Sequence, residues 1–173
     1  MKNLISYSSS VIIIFIILTS CKSLNRKATI NGFVNNYFVV KNEEIKIEDL
    51  QKYINYDKLT FNSLTIYERK KLNEYFNFMI DIGYKNLKMN DFQFKIYSSY
   101  EINPNLILHY NILYHDKKSI YYMVSRDKLF CFFILDKNNK IISFFSRDFM
   151  SQGKDIEPFI LTSKNNLESL LKN

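Results

Sequence analysis

Three glycines, two prolines, two cysteines, two histidines and no tryptophan are spread over 173 residues. So few glycines exclude the Gly-rich loops that cradle nucleotide phosphates. They also leave the turns to Asn, Asp and Ser. The cysteines and histidines show no spacing that would converge three or four ligands on a zinc ion. No apolar run approaches the roughly 20 residues needed to cross about 30 Å of hydrocarbon; the longest, Val11 to Leu18, has eight.

What is present is ordinary for a folded chain, 47% hydrophobic and 24% charged residues, and 13 tyrosines with 15 phenylalanines make the expected core aromatic. The formal charge is +7, and removal of residues 1–20 takes away only Lys2 and leaves +6. The excess of Lys, Asn and Ile follows a low-GC codon bias. The charge therefore tolerates anionic lipid or nucleic acid as a neighbour without requiring either.

One lysine in Met1 to Ser10, the apolar run, and then Thr19, Ser20 and Cys21 have the layout of a secretory signal. Leu18-Thr19-Ser20-Cys21 resembles the lipobox of bacterial lipoproteins, an aliphatic residue and two small ones before the cysteine that becomes the mature N-terminus. The resemblance implies diacylglyceryl transfer to the Cys21 sulfur and cleavage between Ser20 and Cys21. Membrane lipid is then held through acylated Cys21, since two or more acyl chains anchor stably where one is marginal. It divides the chain into a signal peptide at 1–20, a lipidated cysteine and short tether at 21–28, and one domain at 29–173. Lys22, Arg26 and Lys27 are placed to lie on anionic head groups or to serve as a solvated linker. Lys22 stands where an Asp would retain a lipoprotein in the inner membrane. In an envelope with two membranes, the expected place is the outer one, facing the periplasm. With Cys21 lipidated, Cys131 has no partner in the chain, which rules out a disulfide scaffold.

Ile30, Phe33, Val34, Tyr37 and Phe38 fall on one stripe of a helix. Ile47, Leu50 and Ile54 predict a short second helix to about Asp57. Thr65 with Glu68 forms a capping box for a third, Ile66 to Ile82, with Leu72, Phe76, Met79 and Ile80 inward, Asn73 and Asn77 pointing elsewhere, and Gly83 as its C-terminal cap. The period then becomes two. Strands are expected at Phe92 to Tyr100, Leu106 to His115, Ser119 to Arg126, Leu129 to Asp136 and Lys140 to Arg147, followed by a loop from Ser151 and a weak helix, Asn166 to Leu171.

The fold class is therefore α+β, with N-terminal helices packed on a curved antiparallel sheet of about five strands. This element order resembles cystatin-like and NTF2-like architectures, which imply a sheet wrapped around a long helix and no particular function.

Among residues able to do chemistry, His109 and His115 share a face of the expected strand, but at 3.3 Å per residue they lie about 20 Å apart. They cannot hold one metal, and no cofactor is implied. His109, or a tyrosine such as Tyr110, would be the acid or base of a pocket in an enzyme. Cys131, between Phe130 and Phe132, belongs to the core. Ser125-Arg126-Asp127-Lys128 matches the Ser-x-x-Lys pattern of penicillin-binding enzymes but sits at a hairpin turn. Basic residues are not interleaved with aromatics along one element, so no nucleic-acid partner is expected.

Strict alternation puts Phe130, Phe132 and Ile134 on one face of their strand and Cys131, Phe133 and Leu135 on the other. Such a strand needs cover on both faces. The helices supply one. The tail, a pocket, a protein partner or a second copy in a homodimer must supply the other. The function these features support is a membrane-anchored binding or accessory module.

Overall fold

The computed structural model describes residues 24–41, 44–146 and 154–163; of residues 145, 146 and 154 it describes only the backbone. The signal segment, Cys21 and the expected helix Asn166 to Leu171 lie outside these residues.

A first helix, α1, occupies 24–33 and widens into a π-helical turn at Val34–Phe38. Of its expected stripe, Ile30, Phe33 and Val34 are fully enclosed, Phe38 nearly so, and Tyr37 is partly exposed. The second expected helix is only a 3-10 segment, Ile47–Lys52; a short α2, Lys58–Ser63, not expected, follows it, and its Asp57 cap accepts from the amides of Leu59 and Thr60. α3 starts at the expected capping box, Thr65 with Glu68, but runs Ile66–Met89, well beyond Gly83. Gly83 is no cap. It lies within the helix because the Phe38 ring presses on it: a Cβ there would meet Cδ1 of Phe38 at 2.6 Å.

The main sheet has four antiparallel strands in the order β1 (Lys95–Ser98), β3 (Ile120–Ser125), β4 (Lys128–Leu135) and β5 (Ile141–Ser146). The expected strand Leu106 to His115 is not part of it. Asn103 caps a one-turn helix α4, Pro104–Ile107, and only Tyr110–Ile112 is extended, as β2. Proline at the first helical position, behind an Asn cap, starts a helix between the strands expected at Phe92 to Tyr100 and Leu106 to His115. β2 pairs in parallel with β6 (Lys154–Ile156), a strand in the tail where a loop was expected. The architecture is thus α+β, as expected, with a four-stranded antiparallel sheet and a separate two-stranded parallel one where a single sheet of about five strands was expected.

The two faces of the sheet carry two cores. One packs β3, β4 and β5 against α1, α3 and the segment between them, with Phe33, Phe76, Met123, Phe133 and Leu135 at its centre. The other gathers Ile120, Tyr122, Phe132 and Ile134 under Ile102, Ile112 and Ile156, contributed by the β1–β3 connection and by β6. The second face is therefore covered by the chain itself. That removes the apolar argument for a partner or second copy there.

Two residues change sides. Met123 pairs with Cys131 but Val124 pairs with Leu129, so Phe130 is the extra residue of a β-bulge. The bulge reverses the alternation locally. Phe130 joins the helix-side core and Leu129 the second one, whereas strict alternation predicts the opposite.

The β5 edge is closed by backbone. Ile141 donates to the Tyr53 carbonyl at 2.8 Å, Asn55 donates to the Ile141 carbonyl at 2.9 Å, and Leu161 donates to the Ile142 carbonyl at 2.8 Å. These bonds cover the edge at Ile141 and Ile142, where it offers no template to another chain.

Candidate functional site

The first turn of α1 is tied into the domain. Arg26, 7% exposed, donates from Nη1 to the Lys118 carbonyl at 3.0 Å and from Nε to Asn139 Oδ1 at 3.2 Å. Lys27 Nζ meets Glu101 Oε1 at 2.7 Å. Burial pushes the Glu101 carboxyl up, but hydrogen bonds from Lys27 and Ser98 together with the Lys27 charge outweigh it and hold the pKa at about 2. Arg26 and Lys27, expected on head groups or in a solvated linker, instead bind the loops at one end of the sheet. Helix is already formed at residue 24, inside the stretch read as tether.

The residues singled out for chemistry do not come together. His109 is exposed in the turn before β2 and His115 follows that strand, so the two do not share one long strand as expected. The His115 ring lies 4.6 Å from that of Tyr114. Tyr110 is half-buried against the second core. Cys131 is 2% exposed in β4, and burial pushes its thiol well above the ordinary range, the opposite of an activated nucleophile. Ser125 ends β3, and its hydroxyl donates to the Gln93 carbonyl at 2.7 Å. Arg126 and Asp127 turn the hairpin at positive φ, so Ser125 does not open a helix. Among the described residues no group of three or more His, Cys, Asp or Glu side chains is placed to hold a metal, and no helix is long and apolar enough to cross a membrane.

A concave feature lies elsewhere, between α3 and the π turn with the chain that follows it. It is a half-open cleft of about 480 Å³, with Tyr37, Val40, Lys41 and Ile45 on one wall and Asn77, Ile80, Asp81 and Tyr84 on the other. Its volume suits a small ligand. Burial pushes the Tyr37 phenol up, and its hydroxyl donates to the Asp49 carbonyl at 2.9 Å. His109 does not line it.

Asn77 holds the two walls together much as a neighbouring strand would. Its Oδ1 accepts from the Ile45 amide at 2.9 Å and its Nδ2 donates to the Ile45 carbonyl at 2.6 Å. One turn earlier, Asn73 Oδ1 accepts from the Ile47 amide at 3.0 Å. Sequence reasoning turned both asparagines away from the core and missed this role. The available signal was two poor helix formers four residues apart beside the apolar stripe. Asn77→Ala leaves the Ile45 amide and carbonyl without these partners and is expected to cost about 1–2 kcal/mol, read as a lower urea midpoint. An unchanged midpoint would show that water replaces both bonds at no cost.

No protein-family model, no curated protein and no solved structure matches this chain.

Proposed function

We propose that the protein is a lipid-anchored lipoprotein of the cell envelope whose α+β domain is a binding or accessory module held at the membrane surface. The carrying observation is Leu18-Thr19-Ser20-Cys21 placed directly after an eight-residue apolar run, Val11 to Leu18, too short to span a bilayer. Helix at residue 24, three positions after Cys21, fits a chain whose lipidated cysteine lies just ahead of the domain. In a two-membrane envelope Lys22 favours the outer membrane, facing the periplasm. The cleft between Tyr37 and Tyr84 is the concave surface offered to a small ligand or a peptide end. Cys21→Ser is expected to abolish metabolic labelling with a radioactive fatty acid and to accumulate uncut precursor. A variant processed and membrane-bound like the parent would sink the proposal.

A further inference from the structure

We infer that the domain stands on the bilayer in one orientation, with the end of the sheet around Arg26 against anionic phospholipid and the cleft turned away. This inference rests on the lipoprotein reading. Cys21 lies three positions before Leu24, the first described helical residue, and three residues span at most about 11 Å. Arg26 and Lys27 fasten the described helix to three loops, so lipid on Cys21 would enter the bilayer within that distance of this end of the domain.

The strand register shows what lies at this end. Ser98 pairs with Tyr121, Ile120 with Ile134, and Leu135 with Ile141, so the loops after β1, before β3 and between β4 and β5 all emerge together beside Arg26. Their acids are engaged. Glu101 is held by Lys27. Asp116 accepts from the Ser119 hydroxyl at 2.6 Å and the Lys118 amide at 3.1 Å. Asp136 accepts from Asn55 Nδ2 and from the Asn138 amide, each at 2.8 Å.

Lys118 and Lys137 are exposed at the same end, and Lys22 precedes it in sequence. Leu24 and Tyr100, 69% and 71% exposed, add an aliphatic and an amphipathic aromatic side chain of the kind that settles at head-group depth. The bonds to Asp116 and Asp136 come from neutral groups and cancel no charge, but Arg26, Lys27, Lys117, Lys118 and Lys137 outnumber the three acids, and this excess of cations with an exposed tyrosine suits an anionic bilayer. The cleft follows Phe38, which packs on Phe130 at 6.3 Å near the β3–β4 turn, at the opposite end of the sheet.

The test uses the full lipidated chain in vesicles. Cys21 carries lipid and Cys131 is buried, so a new cysteine is the one open to a fluorophore. Asn138→Cys reports on the proposed membrane side and Lys128→Cys on the far end of β4. In phosphatidylglycerol-containing vesicles with a head-group quencher, the label at 138 should be strongly quenched and the label at 128 spared. Adding Lys118→Met and Lys137→Met should lower the docked-to-undocked ratio by about thirtyfold without releasing the protein. Equal quenching of both labels on a lipidated, vesicle-bound protein overturns the orientation and leaves the anchor standing. Equal docking on neutral vesicles overturns the anionic-lipid chemistry. A chain that takes up no lipid label overturns the anchor, and the inference with it.

Discussion

Phe33→Ala is expected to destabilise the domain by about 3–5 kcal/mol, the range for deleting an enclosed phenylalanine and leaving a cavity. Phe33 is fully buried at the end of α1, and its ring meets those of Tyr37, Phe38, Tyr53, Phe133 and Phe144 at centroid distances from 5.3 to 6.3 Å. These partners come from the π turn, the 3-10 segment and two strands of the main sheet. No single one can move in to fill the space without leaving another contact. Since small domains are stable by only about 5–15 kcal/mol, the loss should be plain in the urea midpoint. Leu59→Ala, at a residue 85% exposed, is the control and should stay within about 0.5 kcal/mol. A Phe33→Ala protein with the parent's midpoint would mean that the core relaxes around the missing ring.

Gly83→Val tests a different physical point, because helix propensity and packing give it opposite signs. Propensity alone would reward replacing a glycine in the interior of a helix. Packing forbids it. A Cβ at position 83 would sit 2.6 Å from Cδ1 and 2.8 Å from Cγ of Phe38, so the whole ring would have to shift, not merely its tip. That ring is wedged among Phe33, Phe130, Phe133 and Phe144. The expected cost is about 3 kcal/mol, the upper part of the usual range for overpacking. Trimming the obstruction with Phe38→Leu in the same chain should recover part of it, a coupling that two independent sites would not show. Gly83→Val more stable than the parent would mean that Phe38 is free to leave.

These two residues also show where sequence reasoning worked and where it stopped. Phe33 was readable because a helical stripe reports one face of one element, a local property. Gly83 was misread because its cause is Phe38, 45 residues earlier in the chain, and a glycine late in a helix resembles a cap when its neighbour is unknown. The Thr65 capping box fixed the start of α3 for the same reason that Phe33 was legible: all its bonds are local. β3, β4 and β5 were found with small errors at their ends, but period two does not say which strands pair or in which direction. The parallel β2–β6 pair therefore had no sequence signature, and three residues of β6 offer too short a pattern. In the candidate site, Arg26 and Asn77 were missed because each bonds to backbone far along the chain, and backbone carries no sequence label.

The β2–β6 seam has a consequence for the order of events in folding. Its partners are far apart in sequence; the Asn111 side chain, for instance, donates to Asp155 across 44 positions, at 2.6 Å. Contacts of that separation bear the closure entropy of a long loop before they return any stabilisation. Hairpins β3–β4 and β4–β5 close over only a few residues, so they and the helix-side core can assemble while Ile112 and Ile156 are still apart. The Leu113 amide, bonded to the Ile156 carbonyl at 2.8 Å, is then expected to gain hydrogen-exchange protection later than the amides of β4 in a pulse-labelled refolding experiment. Simultaneous protection would mean that both cores form in one step. On the proposed export, N-terminus first, Ile156 would arrive after all the strands of the main sheet. Until it does, the face bearing Tyr122, Phe132 and Ile134 stays open to whatever holds unfinished chains in solution.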